Sequence, residues 1–221
     1  MKILDIPQSG KLGTMVSYRR RSGQFRRRYV IPNDARAAGQ LERRSAMKRL
    51  RLLWSTLTDR QHAAWNAAGR NRRTARRLNQ SGTLPGYLLF IKINCNLAAI
   101  GLPPVLEPPE PPRSGANPVA ELIITNTNGT ITLQLSVVGQ PAQYVVVRGT
   151  KPRSAGSTYA DRFTILGVLP DPVGGVSDLT AMLVAKYGPP PAGSRVFIET
   201  VQQINGWQDL PQRFSARVPG P

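Results

Sequence analysis

Histidine and cysteine are almost missing from this chain, each occurring once, as His62 and Cys95. A lone cysteine excludes an intrachain disulfide, and with it the secreted disulfide scaffolds. One histidine and one cysteine among scattered carboxylates make no zinc site. A Ser-His-Asp or Cys-His nucleophile would have to use His62, which sits three residues after Asp59 amid arginines that disfavour its protonated form. His62 therefore reads as a packing or phosphate-side residue. Acids are scarce as well, 12 against 30 Lys+Arg, so the paired carboxylates of glycoside chemistry have no obvious source. No Gly-rich loop ends in Lys-Ser or Lys-Thr, and no dinucleotide fingerprint follows a strand. The apolar run Tyr87 to Ile91 is far too short to span a bilayer, and the first ten residues lack the apolar stretch of a signal peptide. These absences point away from an enzyme, a cofactor, a metal, a small-molecule substrate and a membrane span. The expected site of action is the cytoplasm, or a particle packaged from it.

What is present is arginine. The formal net charge is +18, and residues 1–100 hold 21 Lys+Arg against 4 Asp+Glu, a net of +17. Residues 101–221 hold 9 and 8, a net of +1. Such a one-sided field repels itself until an anion neutralises it. Guanidinium binds phosphate bidentately and stacks on bases, so partners rank as nucleic acid, then an acidic protein, then anionic lipid. Two triplets, Arg19-Arg20-Arg21 and Arg26-Arg27-Arg28, flank Ser22-Gly23. Around them Met15, Val16, Tyr18, Phe25, Tyr29, Val30 and Ile31 alternate loosely, which predicts a β-hairpin holding six guanidinium groups close to its tip. The alternative is a disordered basic arm.

Pro32-Asn33-Asp34 opens a predicted helix with Asn33 as cap. Its apolar stripe is Ala46, Leu50, Leu53, Trp54 and Leu57, and Arg43, Arg44, Lys48, Arg49 and Arg51 occupy the remaining circumference. Thr58-Asp59-Arg60-Gln61 forms a capping box for a second helix, weakened or ended at Gly69. Trp54 and Trp65 are expected to anchor the contact between the two as core rather than as base-stacking platforms. Arg70, Arg72, Arg73, Arg76 and Arg77 follow as a second cationic block. A third helix is expected from Gly86 to about Ile100, closed by Gly101, with Tyr87, Phe90, Ile91, Asn94, Leu97 and Ala98 buried. Tyr87–Ile93 also has the aromatic and β-branched density of a strand.

Residues 102–118 hold seven prolines and read as an extended polyproline spacer; at about 3.1 Å per residue, residues 102–112 would reach roughly 34 Å. Beyond it the period changes to two. Strands are predicted at Leu122–Asn126, Thr130–Val137, Gln143–Arg148, Arg162–Val168, Leu179–Lys186, Arg195–Gln203 and Arg213–Val218, the first two joined by Asn128-Gly129. Tyr144, Phe163, Phe197 and Trp207 are the core candidates. Seven short strands with Gly/Pro/Asn turns argue for an antiparallel sandwich, and their order and spacing resemble a fibronectin type III-like domain.

Gly10-Lys-Leu-Gly13, the Arg21–Arg28 string, Pro32–Gln40 and the Trp54–Trp65 segment together resemble a group of uncharacterised bacterial and phage proteins. In these a basic hairpin precedes a Trp–Leu-Thr–Gln–Ala-Trp helix pair. The resemblance lies in the N-terminal part of the chain and implies a phage- or virion-type structural component, with no catalytic residue to carry over.

The expected architecture is α+β and multidomain: a basic arm or hairpin at 1–32, a helical domain at 33–101, the proline-rich linker at 102–118 and a fibronectin type III/Ig-like β-sandwich at 119–221. The candidate polyanion contacts are Arg19, Arg20, Arg21, Arg26, Arg27, Arg28, Arg43, Arg44, Lys48, Arg70, Arg72, Arg73, Arg76 and Arg77. Nucleic acid, DNA or RNA, is the first expected partner, together with further copies of the chain or other assembly proteins. The competing reading is an assembly or surface module whose basic arm docks on an acidic protein.

Overall fold

A computed structural model describes residues 9–20, 23–31, 38–73, 82–112, 115–139 and 143–220. Among them the fold is mixed α and β, with four helices and three antiparallel sheets. The chain divides into two compact units, Met1–Lys92 with Val105–Pro108 and Ile93–Pro104 with Pro109–Pro221.

In the first unit, β1 (Gly10–Leu12), β2 (Met15–Arg20) and β3 (Gly23–Arg28) form a three-stranded ribbon in the order β1-β2-β3. β1 lies ahead of the segment whose alternation predicted strands. It is too short to show a period, and its conformation comes from pairing with β2 across Gly13, whose φ of +56° makes the tight reversal. Helix α1 (Ala38–Ser55) buries Leu50 and half-buries Ala46, Leu53 and Trp54. The predicted start at Pro32–Asp34 lies outside the described residues. Helix α2 (Asp59–Arg70) begins at the expected capping box: the Gln61 amide N–H donates to Thr58 Oγ1 while Gln61 Oε1 accepts from the Thr58 amide.

Gly69 lies in the last turn of α2, which ends one residue later at Arg70 and is closed by the Asn71 and Arg72 N–H groups donating to the Gly69 carbonyl. It is buried there, and a Cβ would stand 2.4 Å from the Leu84 carbonyl oxygen. Gly86 opens helix α3 (Gly86–Ala98), where a Cβ would stand 2.6 Å from the Asn66 nitrogen. The two glycines let α2 and the start of α3 meet backbone to backbone. Trp65 is core, as its stripe predicts, Trp54 is half-buried on the same packed side, and the two meet through a third ring. Phe90 lies 5.2 Å from Trp54 and 5.3 Å from Trp65, the latter edge-to-face. α3 is helical throughout, and the strand reading of Tyr87–Ile93 falls. Gly101, at φ +76°, closes it, with the Leu102 N–H reaching the Leu97 carbonyl; Ala98 is exposed rather than buried. No helix among the described residues is long and apolar enough to cross a membrane.

In the second unit, β4 (Val119–Thr127), β5 (Thr130–Val137) and β8 (Val176–Asp178) form one sheet. β6 (Tyr144–Gly149), β7 (Thr164–Val168), β9 (Arg195–Ile204), β10 (Trp207–Gln208) and β11 (Gln212–Arg217) form the other, with β6 between β7 and β9, and with β10 and β11 both on β9. The two sheets share a core of Val119, Leu122, Ile124, Leu133 and Leu135 against Val145, Val147, Val196 and Ile198, completed by Leu179, Leu183 and Val218. That core is aliphatic. Of the aromatic candidates only Phe197 is buried; Tyr144, Phe163 and Trp207 are half-exposed.

The predicted strand Leu179–Lys186 is helix α4 (Thr180–Tyr187). Leu179, Leu183 and Tyr187 recur every four residues on its packed face, and Asp178 Oδ1 accepts the Thr180 N–H at 2.8 Å at its start. Helical period and an Asx contact outweigh the β-branched Val184.

The proline-rich segment is not a bare spacer. In the first unit the Trp65 indole N–H donates to the Leu106 carbonyl at 2.8 Å. In the second, the Trp207 indole donates to the Pro109 carbonyl at 3.0 Å, and the Gln202 side-chain amide to the Gly115 carbonyl. Proline-rich backbone offers carbonyls with few competing N–H groups, so these donors dock it.

Candidate functional site

Directly opposed residues of an antiparallel pair share a face, so the ribbon's register sorts its side chains. Lys11↔Val16↔Arg27, Tyr18↔Phe25 and Arg20↔Gly23 define one face, and Tyr29 continues it. Met15↔Arg28, Ser17↔Arg26 and Arg19↔Gln24 define the other. The triplets therefore do not gather at one end. Arg19 and Arg20 flank the turn, whereas Arg26, Arg27 and Arg28 lie three to five positions from Gly23, roughly 10–17 Å along the strand. They do not share one face either. Arg20 and Arg27 stand on the first face, Arg19, Arg26 and Arg28 on the second. Arg21 lies outside the described residues.

Every described arginine of the ribbon is opposed by an uncharged residue: Gln24, Gly23, Ser17, Val16 or Met15. No two of the described guanidinium groups stand directly opposite each other across the strands, which keeps repulsion below that of stacked triplets. On the first face the cations rest on rings. The Lys11 ammonium sits 3.9 Å from the Tyr29 centroid, and the Arg20 and Arg27 guanidinium groups lie 5.2 and 5.8 Å from that of Tyr18. Tyr18 and Phe25 stack at 5.7 Å with planes 17° apart. On the second face Arg26 Nε donates to Ser17 Oγ at 3.3 Å, and Gln24 is the most buried side chain of the ribbon.

Elsewhere in the first unit the basic residues form separate groups. Arg44, Lys48 and Arg51, at i, i+4 and i+7, share an exposed face of α1 opposite the Ala46–Leu53 stripe, whereas Arg43, seven residues before Leu50, falls on the stripe's own side and Arg49 to one side of it, both exposed. Arg70 ends α2 and lines a cleft of about 350 Å³ with Asn66, Thr83, Leu84, Pro85 and Gly86. Arg72 accepts the Leu84 N–H at its carbonyl, and Arg73 bridges Thr83. These pairings position the backbone rather than the guanidinium groups. Arg76 and Arg77 lie outside the described residues.

His62 is a packing residue. Its Nε2–H donates to the Trp54 carbonyl at 2.9 Å and its ring stacks on the Trp54 indole at 4.6 Å. Cys95 is partly buried, and loss of solvent pushes its thiol above the ordinary range, away from a reactive thiolate.

One constellation in the second unit has no signature in the sequence. Glu199 is 4 % exposed and takes Arg148 Nη1 at 3.1 Å on one carboxylate oxygen and Arg213 Nε at 2.9 Å on the other. Arg148 continues to Gln208 Oε1, Gln208 to Gln203 Oε1, and Gln203 to the Asn96 carbonyl. The Arg213 guanidinium also covers Phe163 at 5.1 Å. A buried carboxylate with both oxygens occupied by guanidinium is a structural tie across β6, β9 and β11. Register assembles it, pairing β9 with the nearby β11 and with β6 from some fifty residues away.

Comparisons with family models, curated proteins and solved structures find no match to this chain.

Proposed function

We propose that this protein is a non-enzymatic structural component that binds nucleic acid or another polyanion through its arginine-rich first hundred residues. Its setting is a phage- or virion-type assembly, in the cytoplasm or in the particle. The observation that carries this is the ribbon, whose cations are held apart in register, opposite uncharged partners, on strands extended enough to follow a phosphate backbone. The exposed Arg44–Lys48–Arg51 face of α1 and Arg70 extend the cationic surface. Nothing in the ribbon resembles an isolated set of polar base readers, so sequence specificity is low.

The second unit belongs to the same proposal as a sandwich of fibronectin type III kind, facing neighbours or solvent. Its strand orders support that reading: the first, second and fifth strands make one sheet, and the fourth, third, sixth and seventh make the other, around one core. The short β10 is an addition to that plan.

Filter binding across a salt series tests the function. With roughly six to ten phosphates neutralised, affinity for B-form DNA falls about 10³–10⁵-fold between 50 and 200 mM salt. No retention of DNA or RNA at low salt overturns the proposal.

A second reading, an assembly module docking on an acidic protein, is favoured by Leu12, Val30 and Ile31, which stand 85 %, 66 % and 76 % exposed beside the arginines. Light scattering after nuclease treatment separates the two. A stable oligomer supports assembly, and a complex that dissolves with the nucleic acid supports binding.

A further inference from the structure

The ribbon's two faces are unequal in a way that charge alone does not explain. Three aromatic rings, Tyr18, Phe25 and Tyr29, lie on the face with Lys11, Arg20 and Arg27. Aromatic rings carry a large apolar area that a small domain gains by burying. Here Tyr29 is 43 % exposed, and Tyr18 and Phe25 are only half-buried, whereas the polar Gln24 on the opposite face is 7 % exposed. The rings are therefore offered to a ligand side together with cations that already sit against them.

We propose that this face takes single-stranded nucleic acid. Bases stack on Tyr29 and on the Tyr18–Phe25 pair, and phosphates lie against Lys11, Arg20 and Arg27. The inference rests on the polyanion-binding reading and narrows it to a substrate class. A duplex presents phosphates and base edges but keeps the flat faces of its bases inside its own stack, so exposed rings add nothing to duplex affinity. A single strand presents both phosphates and base faces. A cationic track carrying aromatic platforms suits it, and stacking on rings tolerates any base. Arginine beside the rings fits the same ligand, because its planar guanidinium stacks on bases as well as pairing with phosphate. The Phe25-to-Tyr29 spacing, four residues or roughly 14 Å along the strand, separates the two platforms so that each takes its own base.

The test is fluorescence anisotropy with the full chain and three probes: labelled oligothymidylate, its duplex with oligoadenylate, and polyglutamate. Oligothymidylate is expected to bind more tightly than the duplex, and polyglutamate more weakly than both. Tyr29→Leu and Tyr18→Leu keep an apolar side chain and are each expected to weaken oligothymidylate binding about 5- to 150-fold while leaving duplex affinity and the salt slope unchanged. Tyr29→Phe keeps the ring and is expected to bind like the parent. Photo-cross-linking of the unmutated chain to iodouracil-containing single strands needs no variant to fold, and adducts are expected on Tyr18, Phe25 or Tyr29. Equal affinity for strand and duplex, with leucine variants that change neither, overturns the single-strand proposal and leaves polyanion binding standing. Adducts confined to residues outside the ribbon overturn it in the same way, as does preference for polyglutamate. Failure of both nucleic-acid probes at low salt overturns the underlying polyanion reading instead.

Discussion

Gly69 shows how much of the first unit turns on one missing carbon. Alanine is the better helix former by about 1 kcal/mol, so propensity alone makes Gly69→Ala stabilising. The added Cβ would stand 2.4 Å from the backbone oxygen of Leu84, a group with no flexible end to move aside. Overpacking against backbone costs about 1–3 kcal/mol or more, and the clash wins. Gly69→Ala is expected to lower the midpoint of thermal unfolding followed by circular dichroism, while Gly82→Ala, with nothing within 4 Å, is expected to leave it unchanged. A different residue-level effect governs Asp161. The Arg153 guanidinium donates to its carboxylate at 3.1 Å and holds its pKa below the ordinary value. Because the folded pKa is depressed, the contact contributes above the ordinary carboxylate range and is lost as pH falls through the folded value. An NMR titration is expected to show Asp161 protonating below its unfolded counterpart, and Arg153→Ala is expected to bring it back up.

Among the elements, the two Asn-Gly hairpins make a controlled pair. Asn128-Gly129 joins β4 to β5 and Asn205-Gly206 joins β9 to β10, with left-handed φ at all four residues, from +48° to +83°. A Cβ at Gly129 meets nothing within 4 Å, whereas at Gly206 it would stand 2.7 Å from Ile93 Cγ2 and 2.8 Å from the Ile93 carbonyl oxygen. Gly129→Ala is expected to cost about 1–2 kcal/mol for the left-handed backbone alone. Gly206→Ala adds about 1–3 kcal/mol of overpacking, and urea unfolding midpoints of the two variants measure the difference. The Asn128-Gly129 turn is legible in the sequence because strand alternation flanks it on both sides. Asn205-Gly206 carries the same dipeptide, but only two residues of β10 follow, too few to show a period. In α4 the local signal points to helix if the spacing of Leu179, Leu183 and Tyr187 is weighed above the β-propensity of its residues.

For the molecule as a whole, the division of charge is the property with the longest reach. With nearly all of the excess positive charge in residues 1–100, binding and folding are separable by mutation. Reversing Arg19, Arg20, Arg21, Arg26, Arg27 and Arg28 to glutamate is expected to abolish polyanion retention. Near-ultraviolet dichroism of the second unit's aromatic residues is expected to stay unchanged. Neutralising a single phosphate-contacting arginine is expected to lower the slope of log affinity against log salt by about one. Binding that survives the sixfold reversal moves the principal contact to Arg70, Arg72, Arg73, Arg76 and Arg77.

Composition and short-range chemistry already settled the charge asymmetry, the Thr58 capping box, the Gly101 helix stop and the Asn128-Gly129 turn, and they favoured a hairpin over a disordered arm for the two triplet-bearing segments. Each of these depends on neighbours within a few residues, which a linear string displays in full. Tertiary structure alone decided which ribbon face each described arginine occupies, that Lys11 joins them from a third strand, and that Gly69, in the last turn of α2, also admits the Leu84 backbone. It alone tied the proline-rich carbonyls to indole donors and brought Arg148 and Arg213 onto Glu199. Those outcomes depend on register and on contacts between residues far apart in the chain, and a one-residue change of register would send every ribbon side chain to the opposite face.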